Sequence, residues 1–190
     1  MNIPNTPAKS ARPSRPSWPS RRRTAAAAAL AAVLAGAGTV LGAPPAAAAE
    51  AVTVAYTCTG PGAPSGVQSL LVTVTAPATV PRGSAADLSV EVTTALNVPV
   101  DVPARAATGE MAFQLGGAGS GSVTATGFTN TAAIPAGSPV TLTGGAVSAR
   151  LDAAGATTFT PGTATVHVFG VTVTCEVSGT APVAATVDVT

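Results

Sequence analysis

From residue 50 onward, apolar and polar residues alternate along the chain in short runs. In residues 52–58, Val52, Val54, Tyr56 and Cys58 fall on one face, with threonine and alanine on the other. A period of two residues with one apolar face is typical of a half-buried β-strand. Glycine and proline separate these runs and predict turns between them. The alternation predicts strands at residues 52–58, 67–76, 87–95, 109–115, 123–128, 139–143, 146–152, 156–160 and 183–189.

Two stretches leave alternatives open. Pro99 and Pro103 interrupt residues 96–104, which are therefore either an edge strand or a loop. In residues 163–177 the apolar phase resets at Phe169-Gly170. A two-residue hairpin turn explains the reset, and so does a bulge in one long strand. A continuous strand of this length would be unusual, which favours the hairpin, although phenylalanine rarely adopts the positive φ that such a turn needs.

Many short alternating strands, and no helical periodicity after residue 50, predict an all-β fold. The expected architecture is an antiparallel β-sandwich preceded by a signal-peptide helix. We predict one domain, residues 50–190.

Residues 1–49 read as a signal peptide with a basic n-region. Arg21-Arg22-Arg23 precede an uncharged apolar run, residues 24–42, and Ala47-Ala48-Ala49 form a small-residue cleavage site. We predict cleavage after Ala49, within a few residues, and no membrane association after it. Ser20-Arg21-Arg22 also hints at the twin-arginine route, but Thr24 and Ala25 are not the bulky apolar residues expected next, so both export routes stay open.

Charge divides along the same boundary. Residues 1–49 carry six basic residues and no acid, whereas residues 50–190 carry three arginines and eight acids, a net charge of −5. Binding to nucleic acid depends on basic side chains that neutralise phosphate. We therefore expect no nucleic-acid partner. Charged residues are 9% of the chain, and abundant valine and threonine favour strands over disorder.

The chain has two cysteines, Cys58 and Cys175, each on the apolar face of a predicted strand. An exported chain meets an oxidising compartment, where an isolated pair normally closes. We predict one disulfide that ties the first strand to a late strand. A metal site would need further ligands, and His167 is the only histidine; a redox pair usually has its cysteines close in sequence.

Several segments resemble a family of small secreted actinobacterial β-sandwich domains of unknown function. The resemblance rests on the leader, Tyr56-Thr57-Cys58-Thr59, VTVTAP at 72–77, and PGTATV at 161–166 leading into Cys175. Residues 75–93 are also similar to immunoglobulin-like adhesion modules. Together the resemblances imply that the sandwich is an antiparallel immunoglobulin-like β-sandwich, and neither implies a catalytic residue.

The sequence offers little catalytic chemistry, and we expect a non-enzymatic protein without cofactor or metal. A serine hydrolase would depend on His167 as its base, yet the strand pattern turns this residue to solvent, and no serine lies in a G-x-S-x-G frame. Asp87 and Glu91 share a face but have Ser and Thr neighbours, which indicates a solvated surface rather than a glycosidase pair.

Aromatic residues after residue 50 are Tyr56 and four phenylalanines, and Trp18 lies in the leader. Phe128 and Phe169 adjoin glycines near strand ends, so together they are candidates for an exposed contact patch. We expect a secreted protein with a structural or interaction role at the cell envelope or in the extracellular matrix, its partner an unknown protein or envelope component. The alternative is a carbohydrate- or ligand-binding accessory module.

Overall fold

The structure, a computed structural model, describes residues 47–190, which form strands and loops without a helix. The predicted signal-peptide helix lies outside the described residues. The strands are β1 (Ala47–Thr59), β2 (Val67–Pro77), β3 (Thr79–Val80), β4 (Ser84–Asn97), β5 (Ala107–Gly117), β6 (Ser122–Thr129), β7 (Pro139–Leu151), β8 (Gly155–Val168), β9 (Val171–Val177) and β10 (Ala185–Val189).

Eight of these strands form a closed antiparallel barrel. Around the barrel the order is β8-β5-β6-β7-β4-β2-β1-β9, and β9 pairs again with β8. β10 pairs with the first half of β8, and the short β3 joins β10 in parallel. The prediction of an antiparallel all-β fold is confirmed. The hydrogen bonds, however, close one ring of strands, where the sandwich prediction had two separate sheets.

Several strands are longer than the alternation predicts. β7 joins residues 139–143 to 146–152, because the chain passes Gly144-Gly145 with a shift of register against β4. β8 likewise runs through Pro161-Gly162, where its register against β5 shifts between Met111 and Phe113. Such shifts let a strand carry a proline or an extra residue without ending. Residues 98–106 form a loop, apart from an isolated bridge between Val102 and Ile134.

The inward faces fill the barrel with side chains. Tyr56, Phe113 and Phe159 have no exposed surface, and valines from β1, β2 and β10 pack around them. The Tyr56 hydroxyl donates a hydrogen bond to the Gly162 carbonyl, at 2.8 Å, and so links β1 to β8, the strand on the other side of β9. Burial raises the pKa of Tyr56 above its ordinary value, and the nearby Glu176 carboxylate adds to the effect. The tyrosine therefore stays neutral as part of the core.

The predicted disulfide is present between Cys58 and Cys175, and both residues are buried. Each cysteine lies directly opposite the other in the antiparallel pair of β1 and β9. That pair spans only four residues of each strand, Tyr56–Thr59 and Thr174–Val177, whereas β1 and β2 pair over eleven residues. The covalent bond thus lies in the short seam where the first and ninth strands close the barrel.

The predicted cleavage site meets the fold at β1. Ala47-Ala48-Ala49 pair with Thr75-Ala76-Pro77 of β2 and are exposed. A cut after Ala49 would remove these three residues from the strand and leave the rest of β1, with its disulfide, in place.

Candidate functional site at one end of the barrel

Four connections lie at the same end of the barrel, because its strands alternate in direction. They are the loops 60–66, 98–106 and 130–138 and the turn Phe169-Gly170, which we call the turn end. Gly60 brings the first loop against the β8–β9 hairpin, since a Cβ at Gly60 would collide with the carbonyl oxygen of Thr172. Among residues 47–190, five large apolar side chains are exposed, and three of them belong to this end: Val67, Val100 and Phe169.

Phe169 and Gly170 form the two-residue turn between β8 and β9, so the hairpin interpretation of residues 163–177 is confirmed. Their φ angles are 51° and 77°, and a positive φ at both central residues is the mark of a type I′ turn. Asparagine, aspartate and glycine are preferred at the first of these positions, and a bulky residue there is strained. The Phe169 side chain is nevertheless 58% exposed, so core packing does not explain its presence.

Phe128, the second residue of the predicted contact patch, is buried, so the prediction of a joint patch with Phe169 is wrong. Only 2% of Phe128 is exposed. Its ring occupies space inside the barrel over Gly145 of β7, where a Cβ would collide with the ring atoms. The glycine thus makes room for the phenylalanine in the core rather than marking an exposed strand end.

Arg105 is the second unusual residue at the turn end. Among residues 47–190, Arg105 and Phe169 are the only non-glycine residues with positive φ, and Arg105 has a φ of 62°. Ala107, the first residue of β5, lies opposite Val168, the last residue of β8. Arg105 lies two residues before Ala107, and Phe169 follows Val168 directly. Both residues are therefore at the same end of the β5–β8 pair. Backbone strain of this kind costs about 1–3 kcal/mol per residue and tends to occur at functional sites.

The guanidinium group of Arg105 is exposed to solvent, where a binding partner could reach it. Arg105 is exposed and makes no ion pair with a carboxylate of the described residues. The two other arginines of the described part, Arg82 and Arg150, both bond Asp152 at the opposite end of the barrel. Asp101, in the same loop as Arg105, instead accepts a hydrogen bond from the Ala136 backbone N–H, at 2.7 Å.

Asn130 holds the loops of the turn end in place, although the alternation of apolar and polar residues does not single it out. The residue is 1% exposed, and its Oδ1 accepts a hydrogen bond from the Ala107 N–H, at 2.9 Å. Its Nδ2 donates to the carbonyls of Pro103 and Ala132, at 2.7 and 3.0 Å. Its own carbonyl accepts from the Arg105 N–H, at 2.7 Å, which fixes the backbone of the strained arginine. The sequence signal that could have identified this residue is an asparagine directly after an alternating strand, a position where its side chain often bonds the backbone of a turn.

A row of three exposed polar side chains crosses the barrel wall beside the turn. Thr108 of β5 lies opposite His167 of β8, and His167 lies opposite Thr172 of β9. We call these three residues the polar row. Nδ1 of His167 and Oγ1 of Thr172 are 2.9 Å apart, within hydrogen-bonding distance. The histidine is thus solvent-facing, with a threonine hydroxyl as its hydrogen-bonding neighbour.

The other candidate residues stay apart. Asp87 and Glu91 are exposed on the outer face of β4. Among residues 47–190, no three His, Cys, Asp or Glu side chains come together in a group that could hold a metal ion. Over the same range, no helix is long and apolar enough to cross a bilayer.

Comparison with models of known protein families, with characterised proteins and with solved structures finds no match to this chain. The resemblance to secreted immunoglobulin-like domains therefore stays a prediction.

Proposed function

We propose that this protein is exported and acts outside the cytoplasm as a non-enzymatic interaction domain, at the cell envelope or in the extracellular matrix. The buried disulfide supports an oxidising compartment, and the basic, then apolar, leader supports export. Membership of the secreted immunoglobulin-like domains belongs to the same proposal. The antiparallel all-β topology supports it, whereas the closure of the strands into one ring does not.

We further propose that the turn end is the contact surface, and Phe169 is the observation that carries this. A phenylalanine in a type I′ turn costs stability through its backbone, and at 58% exposure its ring gains little stabilisation from burial in return. Asparagine at the same position would relieve the backbone cost. Exposed aromatic residues often supply much of the binding energy of protein contacts. A binding partner that covers the ring accounts for this residue at this position.

The variant Phe169→Asn separates binding from stability. We expect its free energy of unfolding to rise by about 1 kcal/mol, because asparagine suits the turn. In an exporting culture, we expect the ratio of envelope-bound to free protein to fall by about tenfold or more, because the aromatic contact is lost. Cell fractionation with quantitative immunoblotting measures the ratio, and urea unfolding of the purified protein measures the stability.

The matched control is Leu71→Asn, which removes another exposed large apolar side chain, 42% exposed and on the outer face of β2. This control should leave the ratio unchanged within about twofold, as surface substitutions away from a contact usually do. Three results would contradict the proposal. The ratio could fall equally in both variants, or stay unchanged for Phe169→Asn. Alternatively, the wild-type protein could be wholly free in the medium with no co-purifying partner.

A further inference from the structure

The polar row gives the turn end a hydrogen-bonding surface of defined length. Neighbouring strands lie about 5 Å apart, so the three side chains of the row span about 10 Å. The row presents two hydroxyl groups and one imidazole, all exposed. Phe169 follows His167 by two residues, so an exposed aromatic residue lies in the turn at the end of the strand that carries the central member of the row. This combination suits a ligand that carries several hydroxyl groups and an apolar face, as a sugar ring does.

Arg105 adds a positive charge to this surface. It is the only lysine or arginine in the four connections of the turn end, whereas the chain from residue 50 onward has a net charge of −5. The planar guanidinium group binds a carboxylate through two parallel hydrogen bonds. Arg105 is a single arginine and has no ion-pair partner among the described residues. It therefore favours a ligand that places one carboxylate against the guanidinium group.

We propose that the turn end binds an acidic polysaccharide through a uronate unit. The carboxylate of the uronate pairs with Arg105, the C–H face of its ring packs on Phe169, and hydroxyl groups of the same or the next sugar bond the polar row. This inference rests on the proposed function, because it assigns a ligand class to the same contact surface.

Charge distribution favours this ligand over an anionic membrane surface. Membrane surfaces attract clusters of several basic residues, and the turn end has one arginine. Two exposed carboxylates lie nearby: Asp101 is in the same loop as Arg105, and Glu110 is two residues beyond Thr108 on the outer face of β5. Their negative charges disfavour an extended layer of anions and limit the site to a single carboxylate paired with Arg105.

The test uses the processed protein purified from the medium or envelope of an exporting culture. Titration calorimetry measures its binding to polygalacturonate and to the fully methyl-esterified polymer, which keeps the sugar rings without the negative charge. We expect binding to polygalacturonate that weakens as salt rises, and at least about tenfold weaker binding to the methyl ester, because charge-assisted hydrogen bonds are lost.

Two arginine variants locate the site. Arg105→Gln should weaken polygalacturonate binding by about tenfold or more. The control Arg82→Gln removes the same charge at the opposite end of the barrel and should change binding by less than about twofold. Equal losses in both variants would overturn the assignment of Arg105, because they would indicate a general charge effect.

The outcomes separate this inference from the proposed function. Suppose that the wild-type protein does not bind polygalacturonate, but Phe169→Asn still lowers the envelope-bound fraction. The proposed acidic saccharide ligand would then be wrong, and the turn end would remain the proposed contact surface. Equal binding to the methyl ester would overturn the proposed pairing of a carboxylate with Arg105. Binding to phosphatidylglycerol vesicles but not to polygalacturonate would overturn the proposal that the ligand is a saccharide.

Discussion

Replacement of both Cys58 and Cys175 by alanine should lower the free energy of unfolding by about 4–5 kcal/mol. The disulfide closes a sequence separation of 117 residues, and loss of so long a loop constraint gives the unfolded chain much additional freedom. A loss of this size approaches the total stability of many small domains, which is about 5–15 kcal/mol. Urea unfolding of the wild-type protein and the double variant measures the difference.

The position of the bond within the barrel makes its effect local as well as global. Without the disulfide, hydrogen bonds alone hold the β1–β9 seam: those of four backbone residue pairs, one from the Ser178 N–H to the Ala55 carbonyl, and one from the Thr59 hydroxyl to the Thr174 carbonyl. We therefore expect amide hydrogen exchange in Tyr56–Thr59 and Thr174–Val177 to rise before exchange elsewhere. The double control Thr57→Ser and Thr174→Ser lies in the same seam and should change stability by less than about 0.5 kcal/mol. A loss below about 1 kcal/mol in the cysteine variant would contradict this role.

Substitution of Asn130 by alanine should lower the free energy of unfolding by about 3 kcal/mol. The side chain satisfies one backbone N–H and two carbonyls, and the bond to the Ala107 N–H is buried. Removal of one partner leaves a buried polar group unsatisfied, at a cost of about 1–3 kcal/mol, and the alanine also leaves a cavity. Thermal and urea unfolding give the change directly.

The same substitution should also loosen the loop that carries Arg105, since Asn130 bonds Pro103 in that loop. The neighbouring control Thr131→Ala changes an exposed side chain and should be nearly neutral. If Asn130→Ala were as stable as this control, the asparagine would not be the residue that orders the turn end.

Local pattern was enough to predict where most strands lie and that the two cysteines pair, but not where every strand ends. Alternation places Val54, Tyr56 and Cys58 on one face, and all three are buried in the barrel. The same reasoning places Met111 and Phe113 inside, which the structure confirms. Such predictions succeed because side-chain direction in a strand depends only on the position of the residue along it.

Closure of the barrel could not be predicted in the same way. The alternation in β1 shows which face of the strand is apolar, but it does not show which strand pairs with β1. The pairing of β1 with β9 joins residues more than a hundred positions apart. Glycines and prolines add a second difficulty. Gly144-Gly145 and Pro161-Gly162 suggest strand ends, yet the chain passes both as shifts of register inside long strands.

The candidate site was predictable only in part. Phe169 was a candidate from its place beside Gly170, and its exposure agrees with that role. Phe128 has the same sequence context, but its burial depends on the space above Gly145 on a neighbouring strand. The strained backbone of Arg105 and the contacts of Asn130 likewise arise from pairing between distant segments, which no local pattern contains.

Site-specific photo-crosslinking on intact cells tests most directly whether the turn end is the contact surface. A photoreactive phenylalanine analogue in place of Phe169 should give a crosslinked product with an envelope component, analysed by mass spectrometry. The same analogue in place of Leu71 or Val183, both exposed but outside the turn end, should give none. Crosslinks from position 71 or 183 without one from position 169 would contradict the account.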